Sequence, residues 1–132
     1  MKRKILLLIL ILIVGCAEVK EVKKENKIII NDKTYKIVFE DNETVNELKN
    51  QFPLKLKMQD LNKNEKYAYL EMSLPTDEYY PVMIKKGDVM LYGDTCLVIF
   101  YKDFETKYDY TKIGHIDNLE ELDEKDIKVE FK

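Results

Sequence analysis

The apolar positions of this chain fall into short runs rather than helical stripes. The densest lies in residues 87–101, Gly-Asp-Val-Met-Leu-Tyr-Gly-Asp-Thr-Cys-Leu-Val-Ile-Phe-Tyr. Residues 89–92 and 96–101 are two nearly unbroken apolar runs joined through Gly93-Asp94. Gly-Asp in that position predicts a two-residue hairpin, because such turns need positive φ and glycine supplies it without steric strain. Apolar residues at successive positions point to both faces of a sheet, so neither face can be fully wet. The pattern predicts the central hairpin of a closed or doubly covered sheet.

Period-two alternation surrounds it. Residues 28–30 and 34–39 flank the turn-prone trio Asn31-Asp32-Lys33, and Tyr35, Ile37 and Phe39 alternate with Thr34, Lys36 and Val38. Residues 41–44 break that strand. Thr44 and Glu47 fit a capping box, with Val45, Leu48 and Phe52 on one face of a short helix that Pro53 ends. Leu54, Leu56 and Met58 alternate with Lys55, Lys57 and Gln59, which predicts a strand with one wet face. After a polar loop at 60–66, Tyr67 and Tyr69 share one strand face and Ala68, Leu70 and Met72 the other. Residues 73–81, with two prolines and Tyr79-Tyr80, read as a long irregular connection, and 85–88 as the turn into the central hairpin. A polar excursion at 102–107 precedes a strand over 108–116 and a helical turn over 119–122 capped by Asn118. In the closing strand Ile127, Val129 and Phe131 alternate with Lys128 and Glu130. Seven or eight short strands and two short helices make the domain mainly β. Closure into a barrel is expected because it removes exposed edges.

Length and composition fit one domain, 132 residues with 45% hydrophobic side chains, enough for a core without disulfide or metal staples. The first sixteen residues stand apart from it. Lys2, Arg3 and Lys4 precede an apolar run of ten at 5–14, too short to span a bilayer but suited to a secretory signal. Ile13-Val14-Gly15-Cys16 resembles a bacterial lipobox. That resemblance implies cleavage after Gly15 and acylation of Cys16, whose thiol forms the thioether. Residues 1–15 are then a cleaved lipoprotein signal peptide. Residues 16–26, the lipidated cysteine and a Lys/Glu-rich stretch, become a solvated tether, and 27–132 the folded domain. The expected location is exported, anchored through acyl chains (palmitate among them) to the surface or periplasmic face of a bacterial membrane. Removing 1–15 leaves nineteen basic against twenty-five acidic side chains. So acidic a domain is a poor partner for nucleic acid or anionic lipid, and the acyl chains must supply the membrane contact.

The chemical inventory is thin. One histidine, His115, excludes His-rich metal sites, and no Cys/His cluster has ligand spacing. There is no Gly-rich phosphate loop, no Gly-x-Ser-x-Gly and no calcium-binding loop pattern, so no metal or cofactor is expected. With Cys16 acylated, Cys96 is the one remaining thiol, and its place at the head of an apolar strand suits a small buried hydrophobe. The run Glu120-Glu121-Leu122-Asp123-Glu124 reads as a solvated helix face.

The order of motifs carries a resemblance. Asn62-x-Asn64-Glu65-Lys66-Tyr67-x-Tyr69-Leu70, Ser73-Leu74-Pro75-Thr76, Gly87-Asp88-Val89-Met90-Leu91-Tyr92-Gly93-Asp94, Cys96-Leu97-Val98-Ile99-Phe100-Tyr101 and Tyr108-x-Tyr110-Thr111-Lys112-Ile113-Gly114-His115-Ile116 follow one another. Together they resemble the bacterial cyclophilin-like domain family, which implies a closed antiparallel cyclophilin-like β-barrel capped by helices over residues 27–132. True cyclophilins are peptidyl-prolyl isomerases that set an arginine against the prolyl amide. Here the one arginine is Arg3, in the signal, and the family pattern's arginine before Ile113-Gly114-His115 is Lys112. Lysine lacks the planar donor fork, so efficient isomerisation is not expected. The resemblance implies no particular activity, and the tyrosines instead suggest a domain that binds a peptide or small molecule without turnover. Tyr67, Tyr69, Pro75, Met90, Tyr92, Tyr110 and His115 are its candidate pocket residues, since tyrosine and methionine supply apolar area and tyrosine adds a polar handle. Two alternatives stay open: a weak isomerase or other enzyme using His115, and a structural or interaction module of the envelope.

Overall fold

A computed structural model describes residues 25–132. Residues 1–24, which hold the expected signal peptide, Cys16 and nearly all of the expected tether, lie outside the described residues. Strand β1 (Lys27–Ile30) turns through Asn31 and Asp32 into β2 (Lys33–Phe39). Both turn residues have positive φ, 48° and 73°, which Asn and Asp tolerate and which matches the twist of a two-residue hairpin. Helix α1 (Glu43–Lys49) follows, then β3 (Leu54–Leu61), β4 (Glu65–Tyr69), β5 (Met83–Ile84), β6 (Asp88–Tyr92), β7 (Cys96–Phe100), β8 (Phe104–Glu105), β9 (Thr111–Ile116) and β10 (Ile127–Phe131). Eight strands close an antiparallel barrel in the order β9-β2-β1-β10-β3-β4-β7-β6, and β5 pairs with β8 as a separate ribbon.

The two apolar runs of the central hairpin explain this layering. Val89, Leu91, Leu97 and Ile99 point into the barrel core. Met90, Cys96, Val98 and Phe100 point the other way, into a second cluster with Ile84 and Tyr110, against which Phe104 of the ribbon packs. Burying both faces of β6 and β7 requires that second cover, and β5–β8 with the chain around it provides it.

Several local expectations need correction. The β6–β7 turn holds three residues, since Tyr92 pairs with Cys96 and leaves Gly93, Asp94 and Thr95 between them. The N-cap of α1 is Asn42, not Thr44: Asn42 Oδ1 accepts from Val45 N at 2.8 Å, and Asn42 Nδ2 donates to Lys112 O at 2.9 Å. Thr44 is buried and donates to Pro75 O at 2.7 Å, tying the helix to the long connection. No helix forms at 119–122. Leu119 packs into the core, but Asn118 has φ 55°, and the carbonyls of Asp123 and Lys125 accept from Lys66 Nζ at 2.6 and 2.5 Å. Those carbonyls serve a side chain instead of a helical ladder. Glu120 is exposed there and pairs with Lys33.

Lys66 is the least expected core residue, with 0% exposure in a place the pattern assigns to a polar loop. The β3–β4 connection is only Asn62, Lys63 and Asn64, so Lys66 already lies in a strand and points inward. Its ammonium reaches Asp60 Oδ1 at 3.0 Å besides the two carbonyls, which satisfies all three donors. Tyr101 donates to the same carboxylate oxygen at 2.5 Å and Lys63 N to the other at 3.1 Å. Desolvation works to raise the Asp60 carboxyl, but the bonds from Tyr101, Lys66 and Lys63 outweigh it and hold it below the usual range. Burial, and then the bond to Asp60, push Tyr101 far above an ordinary tyrosine. This cluster closes the barrel near the start of β10. At the other end of that strand α1 seals the core with Val45 and Leu48, and Phe52 stacks on Phe131 at 5.7 Å.

Candidate functional site

A concavity lies on the outer face of β4, β7 and β6. Register sets Glu65 opposite Phe100, Tyr67 opposite Val98 and Tyr69 opposite Cys96, with Cys96 opposite Tyr92 on its far side. Side chains two apart share a face, so Glu65, Tyr67 and Tyr69 all project away from the barrel core. The facing wall is β8 and the chain after it. Thr106 N donates to Val82 O at 2.9 Å, and Tyr79 and Tyr110 exchange two backbone hydrogen bonds of 2.9 and 3.0 Å. Val82 has φ 70°, rare for a β-branched residue, and Met83 N donates to Pro81 O at 2.8 Å across it. The two walls enclose a groove of about 570 Å³ lined by Glu65 and five tyrosines, 67, 69, 92, 108 and 110, a size suited to a small organic ligand or short peptide segment.

An aromatic chain supports the groove. Tyr108 meets Tyr92 edge-on at 5.8 Å, Tyr92 lies 5.8 Å from Tyr110, Tyr110 meets Phe100 edge-on at 5.5 Å, and Phe100 lies 5.6 Å from Phe104. On the other wall Tyr67 meets Tyr69 at 5.9 Å and donates through its hydroxyl to Gln59 Oε1 at 3.0 Å. Tyr69, Tyr92 and Tyr108 are exposed at the rim, while Tyr110 is buried beneath. Each ring contact contributes about 0.5–1.5 kcal/mol beyond burial, so the buried rings hold the rim rings in place.

Glu65 is the charged group of the floor. It is half-buried, and among the described residues it makes no side-chain hydrogen bond or ion pair. Burial, reinforced by the charge of Asp60, pushes its carboxyl up to about 7. Burial and the Glu65 carboxylate in turn push the Cys96 thiol up, so at neutral pH it is a protonated thiol and a weak nucleophile. Burial also raises the Tyr110 hydroxyl, with Glu65 again adding to the effect.

A model of the cyclophilin-like family matches residues 28–132. The chain belongs to the cyclophilin-like family. Comparison with curated proteins and with solved structures gives no match.

Within this cyclophilin-like barrel the candidate residues named from the sequence divide into three groups. Tyr67, Tyr69, Tyr92 and Tyr110 line the groove. Met90 is 1% exposed and lies under it, packed in the outer cluster. Pro75 and His115 lie elsewhere. The Pro75 carbonyl accepts from Thr44 beside α1. His115 projects from β9 next to Asp88, Nδ1 to Oδ1 3.1 Å, with its ring over Gly87. Asp88 is itself fixed, since its Oδ2 accepts from Lys85 N at 2.9 Å. Glu65, Tyr108 and Phe104 line the groove without having been among the candidates. Glu65-x-Tyr67-x-Tyr69 does carry a period-two signal, but only once the β4 strand is known to start at Glu65. Among the described residues no cluster of His, Cys, Asp and Glu is arranged to hold a metal ion, and no helix is long and apolar enough to cross a membrane.

Proposed function

We propose that this cyclophilin-like protein is a lipid-anchored envelope protein that binds a peptide or small molecule in the tyrosine-lined groove without turnover. The groove carries the reading: a formed concavity of about 570 Å³ whose rim rings are exposed while buried rings support them. Tyrosine offers large contact area at low entropic cost and a hydroxyl at its tip. Two features argue against chemistry in the groove. Its thiol is held protonated, and the chain's one histidine lies outside it. Anchoring rests on the basic start, the apolar run and Cys16. A Cys16→Ala change should release the protein from the membrane fraction.

A second reading, a weak isomerase or other enzyme, has one observation in its favour, the fixed Asp88–His115 pair, which is how an oriented base is held. Thermal-shift screening of the full chain in non-ionic detergent, against proline peptides, sugars and amines, tests the binding reading. A ligand at a hundred times its Kd adds about 2.7 kcal/mol, and Tyr92→Ala should reduce that shift. Silence across the screen would leave an interaction module of the envelope. Catalysed proline exchange that disappears in His115→Ala would replace binding with the enzymatic reading.

A further inference from the structure

The floor of the groove combines two features that an apolar ligand would not use together: aromatic rings on both walls, and a carboxylate that has no partner among the described residues. We infer that the groove is a site for a small organic ammonium ion, with Glu65 as its counter-ion and tyrosines 67, 92 and 110 as its aromatic surround. This rests on the binding reading above and names the chemistry of its ligand.

Charge complementarity decides between ligand classes. A cation near tyrosine rings is attracted by their quadrupoles, and the attraction grows as water is excluded. The same cation gives Glu65 the partner it lacks among the described residues. An anion would meet Glu65 and Glu105, both on the lining, against one exposed cation, Lys107. A neutral apolar ligand would bury the Glu65 carboxylate further without compensating it, which is costly. The groups around Glu65 are Asp60 from β3, Tyr67 beside it on β4, Cys96 from β7, Tyr110 from the facing wall, and Glu105 and Lys107 on the lining. Asp60 is already held by Lys66 and Tyr101, so it reinforces the negative field without competing for the ligand. Half-buried Glu65 with a carboxyl raised to about 7 is also the group that a bound cation would bring back to its ionised form.

The test uses isothermal titration of the full chain in non-ionic detergent at pH 8 with choline and with butylammonium. The comparison ligand is 3,3-dimethylbutan-1-ol, the uncharged carbon analogue of choline. Choline should bind about tenfold or more tightly than its analogue. Glu65→Gln should remove about that factor for choline, while the analogue binds as well as before or better because no carboxylate is left to desolvate, which also shows that the variant groove is intact. Choline carries a permanent charge, so its affinity should rise with pH through about 7 as Glu65 ionises, and in Glu65→Gln that rise should vanish. Equal affinity for choline and its analogue, or a choline affinity untouched by Glu65→Gln, overturns the cation site while leaving the groove as a binding site. If neither ammonium binds, the cation site falls. If the wider ligand screen is also silent, the binding reading falls with it.

Discussion

Replacing Glu65 by glutamine should stabilise this protein, by an amount that grows as the pH rises from 4.5 to about 7 and then levels off. The side chain keeps its shape and loses its charge. In the folded state the carboxyl is raised from 4.5 to about 7, chiefly by burial and then by Asp60. A raised carboxyl means that the fold prefers the protonated form. Its stabilising contribution is complete below 4.5 and is lost as the pH climbs through about 7. At 1.36 kcal/mol per pH unit the full difference is about 3 kcal/mol. Glu65 is only half-buried, however, and screening by water reduces the figure to about 1–2 kcal/mol. At pH 8 Glu65→Gln should therefore melt above the wild type by about 4–8 °C, and at pH 5 the two should nearly coincide. Paired thermal melts at pH 5, 6, 7 and 8, followed by far-ultraviolet circular dichroism, measure the gap, in which the titrations of other groups cancel. A gap that stays constant with pH, or a variant less stable at pH 8, would refute the account of Glu65 as an unpartnered, desolvated carboxylate.

Further outcomes can be checked by urea unfolding. Lys66→Met should cost about 3–5 kcal/mol, because Asp60 and the carbonyls of Asp123 and Lys125 lose a buried donor. Asp60→Asn should also destabilise near neutral pH, and that penalty should narrow as the pH falls below 3.8, since the Asp60 carboxyl is depressed and its contribution is lost on protonation. Gly87→Ala should cost about 3–5 kcal/mol, since φ is 100° and a Cβ would sit 2.5 Å from Ile116 O; Gly93→Ala, with φ 63° but open space around it, should cost about 1–2 kcal/mol. Asn42→Ala should cost about 1 kcal/mol through loss of the α1 cap, whereas Glu47→Ala, which would matter in a capping box, should stay within about 0.5 kcal/mol.

What could be read in the sequence follows from how local each signal is. Alternation in residues 34–39, 54–59 and 127–131 matches β2, β3 and β10, because a strand with one wet face writes its orientation into every second residue. Four of the groove tyrosines were legible for the same reason, being carried on strands or at their ends within recognisable motifs. Signals that depend on the partner of a backbone group were not legible. The choice of Asn42 over Thr44 as cap depends on Pro75 and Lys112, residues distant in sequence, and Leu119 with Leu122 reads as a helical turn until Lys66 takes the carbonyls that follow them.

By itself, then, the chain determined a mainly β domain built on a two-faced apolar hairpin, and the family to which it belongs. Apolar content and period-two spacing are properties of consecutive residues, and they survive without knowledge of neighbours. Tertiary structure alone decided which polar side chains went inside and which were left without partners. Lys66 and Glu65 are adjacent charged residues, and nothing local separates them. Strand alternation sends one into the barrel, where it meets Asp60 and two carbonyls, and the other into the groove, where it meets rings. Opposite fates for neighbouring residues are set by what the rest of the barrel places on each face of β4.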